Sequence, residues 1–134
     1  MKPTRDSTTP GVLPRPFDQW RVDPLKRDED AAHAFGHALI KHCRDEALKV
    51  ITPSATEADR TSAVKAVDTA LHNVCDLLEG FWRLDVDPGH HVELALQVRV
   101  LNNAGDVVET REISPCKLDL PIGYWKWAQD REFR

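Results

Sequence analysis

Apolar residues recur at steps of three and four through Val64, Val67, Leu71, Val74, Leu78 and Phe81. That spacing is one stripe on a helix. Pro53-Ser54-Ala55-Thr56-Glu57 precedes the stripe. Ser54 is placed to accept from the amide of Glu57 while Glu57 reaches back, the capping-box pattern. Gly80 follows as a stop, because glycine tolerates the left-handed turn at a helix end. From Trp82 the period falls to two. Trp82, Leu84 and Val86 alternate with Arg83 and Asp85, and after Asp87-Pro88-Gly89 the residues Val92, Leu94, Leu96, Val98 and Val100 alternate with polar or small ones. Alternation of this kind predicts half-buried strands. Directly opposed residues of an antiparallel pair share a face, so matching the apolar faces pairs Val86 with Val92, Leu84 with Leu94 and Trp82 with Leu96, and leaves residues 87–91 as the loop.

The same reading extends to both sides. Ala32, Phe35, Leu39, Cys43, Ala47 and Val50 form the apolar face of a first helix from about residue 28 to residue 50. Ile51-Thr52-Pro53 ends it, since a residue before proline avoids helical geometry. A short link between two helices makes them antiparallel neighbours. A third strand follows the turn at residues 102–106. Pairing Leu101 with Val107 sets Val100 against Val108 and Arg99 against Glu109, an opposite-charge pair on the outer face. Asp119-Leu120-Pro121 predicts a short last helix with proline in its first turn. Residues 1–27 hold five of the nine prolines and read as an extended arm, with Phe17, Trp20, Val22 and Leu25 pinning its second half to the domain or offering a partner-binding tail. The predicted fold is α+β: an antiparallel two-helix hairpin packed on a three-stranded antiparallel β-meander, with a short C-terminal helix and an extended N-terminal arm. The division is arm 1–27 and a single domain 28–134.

Length and charge narrow the function classes. A chain of 134 residues is one domain's worth and long enough to bury a core unaided. A net charge of −4 and the absence of any Lys/Arg run argue against a nucleic-acid binder. No stretch has the apolar length of a membrane span, and the first residues lack the apolar stretch of a secretory leader, so the expected location is cytoplasmic. The three cysteines, Cys43, Cys75 and Cys116, lack metal-ligand spacing and read as reduced, with Cys43 and Cys75 on apolar helix faces.

Two polar clusters carry candidate chemistry. His33 and His37 lie one turn apart on the first helix, and Asp68 and His72 one turn apart on the second. Across a turn near residues 52 and 53, His33 falls level with His72 and His37 with Asp68. Three imidazoles and a carboxylate form a donor set for zinc or another divalent metal. An open coordination position would let such a site activate water. The competing reading is a solvated flank. The second cluster is an acidic sheet face. Asp85 lies opposite Glu93, and Asp87 lies near His91, where like charges call for a cation or splay into water. Trp20, Tyr124, Trp125 and Trp127 form the third candidate, an aromatic contact patch. For the C-terminal aromatics the preferred alternative is a terminal lid packed on the sheet.

No nucleophile elbow and no phosphate-binding glycine loop is present. The reading that follows leans away from an enzyme, toward a small protein-interaction or binding module with a protein partner or a second copy of itself, a homodimer. The alternatives are a metal-dependent hydrolase using His33, His37, Asp68 and His72, and a small-molecule pocket between helices and sheet lined by Trp82 and Trp125.

Overall fold

The computed structural model describes residues 12–133, and the part of the predicted arm before residue 12 lies outside them. Asp23 starts the first long helix. Its carboxylate accepts from the amides of Leu25 (2.9 Å) and Lys26 (3.4 Å), and Pro24 takes the first helical position, where its missing N–H costs nothing. Helix α1 (Pro24–Ala38) therefore begins before the expected residue 28. The helical run continues through a π segment (Leu39–Arg44) into α2 (Asp45–Leu48) and stops two residues before Val50.

Helix α3 spans Glu57–Leu78. Its cap is Thr56, whose hydroxyl accepts from the Asp59 amide at 3.1 Å. The expected Ser54 box does not form, because the chain stays non-helical for two further residues. Arg60 closes that turn by donating to the carbonyls of Thr52 (3.0 Å) and Pro53 (3.1 Å). At the far end Gly80 has φ +78°. The Phe81 amide donates to the Asp76 carbonyl and the Gly80 amide to that of Leu77, the paired bonds of a Schellman ending.

The sheet is two antiparallel hairpins rather than one three-stranded meander: β1 (Leu84–Asp87) with β2 (His90–Val92), and β3 (Gln97–Leu101) with β4 (Val107–Glu112). The long strand expected over 92–100 breaks after Val92. Leu96 explains the break: its amide donates to the Ser114 hydroxyl (3.0 Å) and its carbonyl accepts from the Ile113 amide (2.9 Å), so this residue belongs to the second hairpin. In the first hairpin Asp87 pairs with His90, and its carboxylate accepts from the Gly89 amide at 2.8 Å. The turn is thus tighter than the expected 87–91 loop, and Leu84 faces Val92 instead of Leu94. In the second hairpin Leu101 faces Val107 as expected, but a bulge at the next step sets Val100 against Glu109 and Arg99 against Thr110.

Helix α1 packs on β3 and β4, while α3 packs mainly on α4 (Leu120–Trp125). Asp119 caps α4 by accepting from the Ile122 amide (3.1 Å), with Pro121 in the first turn. A second π segment (Lys126–Asp130) follows. The C-terminal stretch is not a lid on the sheet but the filling between the long helices. Tyr124 and Trp127 are buried with Ile40, Cys75, Ile113 and Leu120 in one core. Trp20 joins that core, and Arg27 lies 4.5 Å from the centre of the Phe17 ring. Val22 and Leu25, expected to pin the arm, are 91 % and 77 % exposed. Asp30 holds this region instead, through Arg15 (3.3 Å), Arg21 (2.9 Å) and the Arg21 amide (2.8 Å).

Candidate functional site

The four residues of the predicted metal cluster go to separate partners. Asp68 is gripped by Arg44, whose Nε donates to Oδ1 at 2.7 Å and Nη2 to Oδ2 at 3.3 Å, and it accepts from the Tyr124 hydroxyl at 2.6 Å. Burial would raise the Asp68 pKa, but these donors outweigh it and hold the carboxyl below its ordinary range. Burial and the same carboxylate push the Tyr124 phenol up. The trio is mutually satisfied and ties α3, the first π segment and α4 together. His72 stacks on Trp125, ring centres 5.2 Å apart, with Asp76 at 3.5 Å. His33 accepts from the Trp127 indole N–H at 3.2 Å. His37 is buried and meets the Phe133 ring edge-on at 5.1 Å.

The reason for the dispersal is the C-terminal segment, which occupies the space where the flanks of the two helices were expected to converge. Among the described residues no group of three or more His, Cys, Asp or Glu side chains is arranged to hold a metal. Arg44 and Tyr124, the real partners of Asp68, were missed. The aromatic run that contains Tyr124 was the available signal.

The acidic face separates in the same way. Asp85 lies opposite His91 rather than Glu93. Its carboxylate takes the Arg83 Nε at 2.5 Å, and Asp87 pairs with the His90 ring at 2.8 Å. Asp87 lies beside His90, not His91, and both His91 and Glu93 are exposed. Of the aromatic patch, Trp20, Tyr124 and Trp127 are core residues, and only Trp125 is exposed, at 40 %. Trp125 lines an open groove of about 630 Å³ with Val64, Lys65 and Thr69 of α3. Trp82 is not among its walls.

Cys75 alone fits the buried-thiol expectation, its pKa pushed up by burial to about 12, while Cys43 and Cys116 are exposed. Cys43 falls in the first π segment, where the helical phase moves it off the apolar face.

A different surface stands out. Phe81 (65 % exposed), Trp82 (50 %), Val86 (66 %), Val92 (48 %) and Leu94 (39 %) all belong to the first hairpin or its immediate flanks. Every strand residue of that hairpin except Leu84 is exposed. Leu84 and Val92 share one face. Isolated exposed apolar residues are ordinary, but five within fourteen positions are a local concentration of exposed apolar side chains. The sequence signal was the alternation itself, which specified an apolar face without saying what covers it. Helices of the described residues are not long and apolar enough to cross a membrane. Comparison with known proteins found no matching family model, no matching curated protein and no matching solved structure.

Proposed function

We propose that this chain is a protein-interaction module without catalytic chemistry, that its contact surface is the β1–β2 hairpin, and that its first partner is a second copy of itself. The exposed apolar hairpin carries this reading. A two-stranded hairpin is marginal alone and gains stability when further strands and an apolar face are added. Among the described residues its sheet holds β1 and β2 only, so no further strand pairs with either edge. An isologous contact, apolar hairpin face against apolar hairpin face about a two-fold axis, would cover Trp82, Val86 and Val92 together. Charge favours the self-contact. Arg83 with Asp85 and Asp87 with His90 are paired within the hairpin, so two copies do not bring a strong single-sign field together.

The test is size-exclusion chromatography with light scattering on the full chain up to about 100 µM, a range that reveals even micromolar association. The expected mass is twice the 15.2 kDa of one chain. The Trp82→Ser, Val86→Ser double variant should revert to one chain while keeping the far-ultraviolet circular dichroism of the parent. A wild-type chain that stays monomeric throughout, or a dimer indifferent to both substitutions, overturns the proposal.

A further inference from the structure

We infer that His33 and His37 form an acid-sensitive latch that holds the C-terminal segment 126–133 against α1. The inference starts from hydrogen-bond chemistry. An indole N–H can only donate, and that of Trp127 points at Nδ1 of His33 from 3.2 Å. Nδ1 must therefore be the bare acceptor, and the single proton of the neutral ring sits on Nε2. A second proton has only Nδ1 to go to. There it faces the indole N–H, and an attractive contact becomes two donors pointed at each other.

The groups around His33 do not rescue the charged ring. Glu29, on the same helix, lies 3.6 Å from Nε2 and favours charge, but it is part-exposed and also meets Arg21 at 3.4 Å and Lys26 at 4.0 Å. Asp30 is saturated by Arg15 and Arg21 of the arm. The balance of burial against Glu29 and Asp30 leaves the His33 pKa below its ordinary value.

His37 sits one turn on, 2 % exposed, and its Nε2 has no hydrogen-bond partner among the described residues. Phe133 of the C-terminal segment packs on its ring. The charged groups facing it, Lys41 and His42 of its own helical run, are cationic and add to burial in lowering its pKa. Protonating His37 puts a buried charge against a phenyl ring with no counter-ion.

The opening has a natural boundary. Among the described residues the segment meets the first helical run through Trp127 on His33, Phe35 and Gly36, Phe133 on His37, and Arg131 on Asp45 with both bonds at 3.0 Å. Acid near the histidine range turns the contacts at His33 and His37 unfavourable. Helix α4 just before the segment is held independently, by Tyr124 on Asp68. The structure thus separates a part that acid loosens from a part that it leaves in place. What the opening uncovers is the surface at Gly36, whose missing side chain makes room for the Trp127 indole.

The experiment is a pH titration of the full chain by nitrogen–proton NMR, following the Trp127 indole N–H and the backbone amides. Between pH 7.5 and 5.5 the indole signal should move or broaden, and protection of amides 126–133 against exchange, corrected for intrinsic rates, should fall about tenfold or more, the equivalent of one pKa unit. Amides of α3 should keep their protection. In a His33→Gln, His37→Leu variant, where an amide oxygen replaces the Nδ1 acceptor and nothing titrates, the transition should disappear. A wild-type indole signal unchanged over this range overturns the latch by itself. So does simultaneous loss of protection in α3, or an identical transition in the variant.

Discussion

Gly36 is a residue on which the packing of the Trp127 indole turns. A glycine inside a helix ordinarily costs about 1 kcal/mol relative to alanine, so Gly36→Ala would stabilise an isolated helix. Here a Cβ at position 36 would run into the Trp127 indole, and one at Gly123 would come within 2.9 Å of the same ring. Both glycines are cut away for one side chain. Overpacking of this kind costs about 1–3 kcal/mol, which outweighs the gain in propensity. We therefore expect Gly36→Ala to lower the urea midpoint without changing its slope. A variant as stable as the parent, or more so, would show that the indole has room to move. None of this was legible beforehand, because the ring that fills the space comes from 91 positions further along the chain. His33 and His37 were legible as a pair on one flank, but the same distance hid Trp127 and Phe133, which decide what that flank touches.

Among the elements, α3 shows how local signals and tertiary context divide the work. Its apolar period located it, and Gly80 ended it where expected. Its start was misplaced by two residues because Ser54 and Thr56 are both competent caps, and only the bonds from Arg60 to the preceding carbonyls select Thr56. Thr56→Ala should cost about 1 kcal/mol, whereas Ser54→Ala, with its hydroxyl exposed beside Thr52, should cost at most about a few tenths. Thermal unfolding of the two variants side by side checks this, and a larger loss at Ser54 would restore the box. The strands divide in the same way. Period two marked where strands form, and Leu101 opposite Val107 survived intact. The break between β2 and β3 was invisible because Ser114 and Ile113, which capture Leu96, are a long-range contact that no local pattern contains. The bulge beyond Leu101 had no signal either, and on the strand past it Glu109 takes the Arg27 Nε–H between its two carboxylate oxygens at 2.6 and 2.8 Å, which ties sheet to helix.

Across the whole molecule, the first helical run, from α1 through the π segment, is fastened to its surroundings chiefly through arginine–carboxylate pairs. Asp30 takes Arg15 and Arg21 from the arm, Glu109 takes Arg27, Asp28 takes Arg111 at 3.5 Å, and Asp68 takes Arg44. In Asp30 burial is outweighed by Arg21 and Arg15, in Asp68 by Arg44 and Tyr124, while Arg27 dominates at Glu109, and all three pKa values lie below their ordinary range. A carboxyl whose folded pKa is depressed stabilises the fold above its unfolded pKa and loses that contribution as pH falls through the folded value. Glu79 has the opposite sign: burial raises its pKa, so its contribution is complete below the unfolded value and fades as pH rises. The histidines share the carboxylates' sign at a higher pH, since His33 and His37 are both depressed. Stability should therefore fall in two stages on acidification, first below about pH 6.5 as the unfolded chain takes up protons on His33 and His37, then below about pH 4 as Asp30, Asp68 and Glu109 follow, with Glu79 opposing the second stage. Denaturant midpoints measured from pH 7.5 down to pH 3 would resolve the stages, and the His33→Gln, His37→Leu variant should keep only the second. A midpoint that holds constant or rises on acidification would mean that the arginine pairs fastening this run contribute nothing net to the fold, and that the arm and sheet are held to it by Trp20, Ile113 and their apolar neighbours alone.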